Sequence, residues 1–183
     1  MPSSLRCGDP THTSPNAQQR YWLTRTGSLS EALCQLGEFS LTVVSEGSST
    51  ADSEDAALLN VAAGSTLWTR DVLLHVDRQP LVYAHSLTLL DDTLPGGEWA
   101  QLRAQGQQPL ATLLYSDPHI ERQPFQWRQV YIAAPSSAHH QLPEQRSAQW
   151  ARHSCFLKRR RPLVIAEAFL NAFWEHPRLE IAR

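Results

Sequence analysis

Two β-rich runs flank the polar pair Asp77-Arg78 in the stretch from residue 67 to residue 90, and this feature constrains the fold more than any other. Runs of this kind around a two-residue polar break are typical of a β-hairpin. If the turn consists of these two residues, Val76 faces Gln79 across it. The sequence therefore predicts a long antiparallel hairpin.

Counting backwards from the turn gives the cross-strand pairs of this hairpin. They are Leu74 with Leu81, Val72 with Tyr83, Arg70 with His85, and Trp68 with Leu87. Because side chains alternate between the two faces of a strand, all of these residues share one face. That face is apolar except for Arg70 and His85, whereas the opposite face is more polar. We expect the first face to be buried, since a shift of the register by one residue would bury the polar face instead.

Arg70 is then expected to point into the interior of the protein. Arginine keeps its charge there, and an unpaired buried charge costs several kcal/mol or more by a rough desolvation estimate. Its partner is either an acidic side chain in a structural salt bridge or an anion that a ligand supplies. The neighbouring His85 cannot neutralise the charge, which favours the ligand.

The composition fits one compact domain of 183 residues with a substantial core, since 42% of the residues are hydrophobic. A net charge of -2 argues against nucleic acid or a membrane surface as a partner. No apolar run is long enough for a membrane span. We expect a monomer that binds a small-molecule substrate.

Residues 1–19 are rich in Ser, Thr, Pro and Asn and predict a flexible N-terminal arm, followed by the domain at residues 20–183. The arm lacks the apolar segment of a secretory signal. The cysteines Cys7, Cys34 and Cys155 are odd in number and far apart, without the spacing of a metal site. This usage is typical of the reducing cytoplasm and predicts no structural metal.

The pattern of apolar and turn-forming residues predicts the remaining elements. Helices are predicted at residues 28–37, 56–61, 98–105 and 109–115. Strands are predicted at residues 39–46 and 120–133, and polar loops at residues 48–55 and 135–149. Ser28 and Glu31 form a capping box at the first helix, and Pro124 interrupts the second strand. The second loop contains His139-His140, but no third ligand lies at metal-site spacing.

The last predicted hairpin carries one acidic residue inside an apolar strand. Residues 150–170 form two β-rich runs around the turn Arg159-Arg160. Glu167 is the only charge in its nine-residue apolar run, so it is buried on either face of the strand. A two-residue turn places Arg152 opposite Glu167. Two interpretations stay open, a plain structural pair or a carboxylate in an apolar pocket that transfers a proton or binds a hydroxyl.

Four pieces of the sequence are characteristic in their order and spacing, namely Gly27-Ser28-Leu29, Leu67-Trp68-Thr69-Arg70 with Pro80-Leu81, Pro109-Leu110 ahead of Leu114-Tyr115-Ser116, and Trp150-Ala151-Arg152-His153-Ser154 with the run from Pro162 to Leu170. In these pieces the sequence resembles the chorismate pyruvate-lyase family, bacterial enzymes that make 4-hydroxybenzoate for ubiquinone synthesis. The resemblance runs from Ser28 to Leu170, which is most of the chain.

The resemblance implies an α+β fold, in which helices pack on a single antiparallel sheet over a closed ligand cavity. It implies a lyase that converts chorismate to 4-hydroxybenzoate and pyruvate with neither a metal nor a cofactor. Arg70 matches the arginine that holds the ring carboxylate, and Glu167 matches the glutamate near the ring oxygen. Leu29 and Leu110 match positions on two covering segments whose backbone groups touch the substrate.

Two positions depart from the family pattern. Leu29 stands where a methionine can occur, which is a tolerable exchange in an apolar wall. His85 stands where the resemblance implies an arginine for the second carboxylate of the substrate.

A non-catalytic sensor of aromatic acids is the alternative, because the same fold resembles the effector-binding domain of a group of bacterial transcription regulators. Such regulators need a DNA-binding domain of about 60 residues or more. Fewer than thirty residues precede the helix at Ser28, and this favours the enzyme over the regulator.

Overall fold

The computed structural model of the protein describes residues 5–7, 14–132 and 148–179. Within these ranges there are eight strands, β1 (Leu5–Cys7), β2 (Phe39–Thr50), β3 (Thr66–Val76), β4 (Gln79–Leu89), β5 (Ile120–Arg122), β6 (Gln126–Ile132), β7 (Gln149–Lys158) and β8 (Arg161–Phe169). The helices in the same ranges are α1 (Ala17–Thr24), α2 (Leu29–Cys34), α3 (Ser53–Leu59), α4 (Ala111–Ser116) and α5 (Asn171–Trp174). Two further segments, Leu90–Thr93 and Ala100–Ala104, are 3-10 turns.

The strands form one antiparallel sheet in the order β1-β6-β7-β8-β4-β3-β2, and β5 pairs with β7 beside β6. The predicted α+β fold class is confirmed. β5 and β6 are two pieces of the strand predicted at residues 120–133, and the break between them contains Pro124. Proline causes this break because it has no N–H to donate to a neighbouring strand.

Both predicted two-residue turns are confirmed. Asp77 and Arg78 have φ angles of 50° and 66°, and Arg159 and Arg160 have φ angles of 45° and 69°. Two successive residues with positive φ make a type I′ turn, whose twist matches that of the strands it joins. The strands therefore pair directly next to each turn.

The register of the first hairpin differs from the prediction by one residue. Close to the turn His75 pairs with Pro80, but the next pair is Leu74 with Val82. Leu81 is thus an extra residue in β4, directly after a proline that cannot donate a ladder hydrogen bond. Such a β-bulge exchanges the faces of all residues beyond it.

Because of this bulge, Arg70 pairs with Ser86, and the predicted pairing of Arg70 with His85 is wrong. His85 pairs with Asp71 on the opposite face, where its Nδ1 lies 2.8 Å from Asp71 Oδ1. The Tyr83 hydroxyl donates to the same oxygen at 2.8 Å. Asp71 and His85 are both buried, so the prediction that this second face is the exposed one is also wrong. The second oxygen of Asp71 accepts a hydrogen bond of 2.7 Å from the Ser45 hydroxyl, so protein groups take the place of water around this buried carboxylate.

Helices and turns cover the face of the sheet that carries Arg70. α1, α2 and α5 pack on one half of this face, and α4 packs with the second 3-10 turn on the other half. The buried residues of the two halves include Trp22, Leu33 and Phe173 in the first and Trp99, Leu102 and Leu114 in the second. A cavity remains between the two halves.

The other predicted elements occur with shifted ends. The Ser28 hydroxyl caps α2 by accepting a hydrogen bond of 3.2 Å from the Glu31 backbone amide, which is one half of the predicted capping box. Among the described residues the reciprocal hydrogen bond to the Glu31 side chain is not formed. β2 continues to Thr50 into the predicted polar loop, and α3 begins at Ser53. The predicted helix at residues 98–105 is only a 3-10 turn.

The sequence predicted neither α1 nor α5. α1 begins at Ala17, inside the stretch interpreted as an arm, and it buries Trp22. The histidines His139-His140 lie outside the described residues. In the part of the chain that the structure describes, no helix has the length and apolar character needed to cross a membrane.

Candidate active site

The cavity lies on the helix-covered face of the sheet, above β3, β4, β8 and β7. Its empty volume is about 590 Å³, which includes solvent space at its mouth. The strand register places two rows of side chains on its floor, and each row crosses all four strands. The first row is Val72, Ala84, Glu167 and Arg152, and the second is Arg70, Ser86, Ile165 and Ser154.

All four residues that the resemblance selected line this one cavity. Arg70 and Glu167 stand on its floor, whereas Leu29 and Leu110 lie on the covering segments. Leu29 is the first residue of α2, and Leu110 directly precedes α4. The fold thus brings together residues from four distant parts of the chain.

Arg70 is 1% exposed, and its charge is only loosely neutralised. Its Nε lies 3.5 Å from Glu46 Oε2 on the neighbouring strand without forming a hydrogen bond. Its Nη2 donates to the backbone oxygens of Gly106 and Gln108 at 2.7 Å and 3.2 Å. Burial lowers the pKa of the Arg70 guanidinium, and the Glu46 carboxylate opposes this effect. Among the described residues no hydrogen bond uses Nε or Nη1, so the guanidinium retains donors for an incoming anion.

Arg152 pairs with Glu167 across β7 and β8, as counting from the turn predicted. Its Nε donates to Glu167 Oε2 at 2.6 Å. Its Nη1 donates to the backbone oxygens of Trp22 at 3.0 Å and of Arg25 at 2.8 Å. The ring of Phe125 stacks on the guanidinium, with its centroid 4.4 Å from Cζ. The predicted structural pair is therefore present, and its carboxylate lines the cavity.

The two covering segments are tied to each other above the cavity. The Tyr115 hydroxyl donates a hydrogen bond of 2.9 Å to the backbone oxygen of Gly27. Arg122 Nη1 donates to the same hydroxyl at 3.3 Å. Gly27 has a φ of 85°, a conformation that glycine adopts without steric cost. This tie joins the segment before α2 to α4.

The sequence interpretation missed two hydroxyl groups on the cavity floor. Ser86 and Ser154 are each 4% exposed and line the cavity. In the ranges that the structure describes, neither hydroxyl forms a hydrogen bond with a protein group, so both are available to a ligand. Alternation along β7 could have identified Ser154, because it lies two residues from Arg152 and therefore on the same face. It could not identify Ser86, because the bulge at Leu81 moves this residue to the face opposite the predicted one.

His85 lies outside the cavity, because it faces Asp71 on the reverse side of the sheet. It therefore does not stand beside Arg70, where the predicted register placed it. The described part of the chain holds no group of three or more His, Cys, Asp or Glu that would bind a metal ion.

Comparisons with known sequences cover nearly the whole chain. The sequence profile of a family described as chorismate lyase matches residues 5–179. A protein of Bordetella avium named "Probable chorismate pyruvate-lyase" is 40% identical over 166 residues, which are 90% of this chain and 82% of that protein. A protein of Pseudomonas fluorescens named "Probable chorismate pyruvate-lyase 1" is 33% identical over 157 residues, which are 85% of this chain and 84% of that protein.

Similar solved structures come from bacterial regulators. The effector domain of PhnF from Mycobacterium smegmatis gives a TM-score of 0.54 at 14% identity, covering 79% of this chain and 89% of that one. A GntR-family transcriptional regulator from Bacillus cereus gives a TM-score of 0.52 at 14% identity, covering 74% of this chain and 93% of that one. At such low identity the likeness shows a shared fold and nothing further.

Proposed function

Because the chain belongs to the chorismate lyase family, we propose that it converts chorismate to 4-hydroxybenzoate and pyruvate. Membership makes the protein a lyase, and the identity of substrate and products is the proposal. As the resemblance implies, we propose that this reaction is the first step of ubiquinone biosynthesis. The cysteine usage supports placing it in the cytoplasm, and we expect the protein to act as a monomer.

The observation that carries the proposal is a pair of opposite charges that face one largely apolar cavity. Arg70 and Glu167 lie two strands and one row apart on the same face of the sheet. Standard strand spacings separate their Cα atoms by about 12 Å. Two long side chains that reach inwards over this distance leave room for one six-membered ring. A ring with a carboxylate at one end and an oxygen at the other matches both charges.

Arg70 is the residue that we assign to the ring carboxylate. Its guanidinium presents parallel N–H groups, which bind a carboxylate by charge-assisted hydrogen bonds. Because the side chain is 1% exposed, water competes little for this contact. The backbone oxygens of Gly106 and Gln108 fix the Nη2 end and leave the other donors for the ligand.

Glu167 is assigned to the opposite end of the ring, where the chemistry takes place. The reaction breaks the bond between ring carbon C3 and the ether oxygen and removes hydrogen from C4, so that the ring becomes aromatic. In one route Glu167 accepts the C4 proton while enolpyruvate leaves, and enolpyruvate then takes up a proton on carbon to give pyruvate. In the other route the C4 hydrogen passes directly to the methylene carbon of the enolpyruvyl group in a cyclic step.

The remaining contacts supply orientation and exclusion of water. The hydrogen bond of 2.6 Å from Arg152 holds the Glu167 carboxylate in one direction. Leu29 and Leu110, which we assign to substrate binding, close the cavity from above. Holding the substrate in a reactive geometry is a large part of what an enzyme contributes to a unimolecular elimination.

The test is to incubate the purified protein with chorismate and EDTA and to measure 4-hydroxybenzoate and pyruvate. We expect equal amounts of both products without any added metal or nucleotide. Arg70→Gln should lose activity, and Arg103→Gln, which changes an exposed arginine, should keep it. Absence of turnover in the folded wild type would refute the proposal. Tight binding of 4-hydroxybenzoate without turnover would instead identify an aromatic-acid sensor.

A further inference from the structure

We propose that Arg152 and Ser154 form a second anion site, which binds the carboxylate of the enolpyruvyl side chain. This inference rests on the proposed function, since it assigns the second acidic group of the same substrate to the same cavity. It gives the second carboxylate a partner other than His85, which faces the reverse side of the sheet.

The first reason is that each end of the cavity floor carries one arginine and one serine. Arg70 pairs with Ser86 across β3 and β4. Arg152 and Ser154 are two residues apart on β7 and therefore share a face. All four side chains are buried and line the cavity. The two arginines lie three strands and one row apart, which separates their Cα atoms by about 16 Å, so two acidic groups can be bound at once.

The second reason is the set of donors that the protein leaves unused. The hydrogen bonds of Arg152 to Glu167, Trp22 and Arg25 use Nε and Nη1. Within the described ranges no hydrogen bond uses Arg152 Nη2 or the Ser154 hydroxyl. The guanidinium is already held in place by its other contacts, so an anion that binds to these donors orders little additional structure.

The third reason is where the substrate carries its second carboxylate. The ring oxygen that becomes the product hydroxyl is on C4, and the enolpyruvyl group is on the adjacent carbon C3. With C4 near Glu167, this side chain emerges next to that carboxylate. Arg152 is the direct cross-strand partner of Glu167 on the β7 side. The enolpyruvyl carboxylate thus comes within reach of Arg152, whereas the ring carboxylate is bound by Arg70.

The experiment compares two unreactive ligands that differ by one carboxylate, 3-methoxybenzoate and 3-(carboxymethoxy)benzoate, by titration calorimetry. In the wild type the second carboxylate should strengthen binding about tenfold, as a charge-assisted hydrogen bond in a dry site does. Ser154→Ala and Arg152→Lys should lose most of this gain while binding 3-methoxybenzoate as the wild type does. Ser86→Ala is the matched control, and it should weaken both ligands equally.

Equal affinity of the wild type for the two ligands would overturn the inference, and so would a Ser154→Ala variant that weakens both ligands alike. If Arg152→Lys fails to fold, the affinities of the wild type and of Ser154→Ala for the two ligands still test the second anion site. The result is also separable from the proposed function. A wild type that binds both ligands equally but turns over chorismate normally rejects the second site alone. A wild type that shows the tenfold gain but no turnover rejects the lyase reaction alone.

Discussion

Arg70 and Arg152 are buried to the same degree on the same face of the sheet, yet the protein neutralises them differently. Arg152 holds the Glu167 carboxylate at 2.6 Å. Glu46 stays 3.5 Å from Arg70 without a hydrogen bond, and its side chain is 28% exposed at the outermost strand. Burial alone therefore does not show how completely the protein pairs an arginine. What distinguishes Arg70 is a buried positive charge that its own chain leaves incompletely paired.

Removal of the tightly paired arginine should produce the largest effect, and it should appear as lost stability. Arg152→Ala leaves the Glu167 carboxylate and the carbonyl oxygens of Trp22 and Arg25 without their donor. The free energy of unfolding should fall by about 3–5 kcal/mol, as when one partner of a buried pair is deleted. Denaturant titration measures the change. A loss of about 0.5 kcal/mol, as for an ordinary surface substitution, would remove the contrast between the two arginines.

Removal of the loosely paired arginine should mainly affect binding. Arg70→Ala deletes the proposed contact to the ring carboxylate, and the affinity for 4-hydroxybenzoate should drop by roughly 2–5 kcal/mol. The free energy of unfolding should change less than in Arg152→Ala, because burial already lowers the pKa of the Arg70 guanidinium and so disfavours its charged form. Calorimetric titration of Arg70→Ala measures the change in affinity, and thermal unfolding of the same variant measures the change in stability. A large loss of stability with unchanged affinity would show that Arg70 is structural.

Glu167→Gln tests whether the paired end of the cavity is also catalytic. Glutamine keeps the shape and an oxygen that can accept from Arg152 Nε, but it removes the negative charge and the proton acceptor. We expect kcat to fall about a hundredfold, as for loss of a general base, while the fold persists. Steady-state kinetics and the thermal midpoint measure these quantities. Full activity of the folded variant would end the assignment of Glu167.

Glu46→Gln tests the loose pairing of Arg70 by removing the nearby carboxylate while keeping the arginine. Glu46 is the carboxylate that competes with a ligand for Arg70, and glutamine can still accept the hydrogen bond of 3.3 Å from Trp68 Nε1. Binding of 4-hydroxybenzoate should become a few-fold tighter, because a competing charge of this kind is worth up to about 1 kcal/mol. Glu98→Gln, which changes a partner of the exposed Arg159, is the control. Weaker binding in Glu46→Gln would mean that Glu46 positions Arg70 instead of competing for it.

The half-buried His153 gives the smallest predicted effect. It follows Arg152 in the chain, and burial lowers its pKa below 6.5, assisted by Arg128 and opposed by Glu54. The unfolded chain therefore binds the proton first, so the free energy of unfolding falls as the pH drops below 6.5. His153→Gln should flatten this pH dependence, whereas His119→Gln, at an exposed position, should not. Identical pH profiles of His153→Gln and the wild type would contradict this.

The same counting argument succeeded in one hairpin and failed in the other. In β7 and β8 the register continues without interruption from the turn, so counting placed Arg152 opposite Glu167. In β3 and β4 the extra residue Leu81 lies three residues from the turn and shifts every later pair. The preceding Pro80 is compatible with a bulge, but alternation along the strand does not reveal where the extra residue lies. The sequence therefore predicts the turns and strands better than it predicts which residues share a face.

Prediction of the site depended on different signals for different residues. Arg70 and Glu167 could be singled out as lone charges in apolar strands, and both line the cavity. Ser86 could not, because the register error assigned it to the wrong face. The tie from Tyr115 to Gly27 joins residues 88 positions apart in the chain. Contacts over such separations follow from tertiary packing and leave no local pattern in the sequence.

The extra residue in β4 decides which side chains of this strand face the cavity, because it shifts the pairing of all later residues by one position. Beyond Leu81 the even-numbered residues of β4 lie on the face of the sheet that carries the cavity, and Ala84 and Ser86 among them line it. Deletion of Leu81 would exchange the parity, so that Tyr83 and His85 would point into the space that the ring needs. Insertion or deletion of one residue in β4 would therefore exchange all the side chains that this strand contributes to the cavity. During divergence of such proteins, this strand can gain or lose residues only in pairs without changing what the cavity accepts.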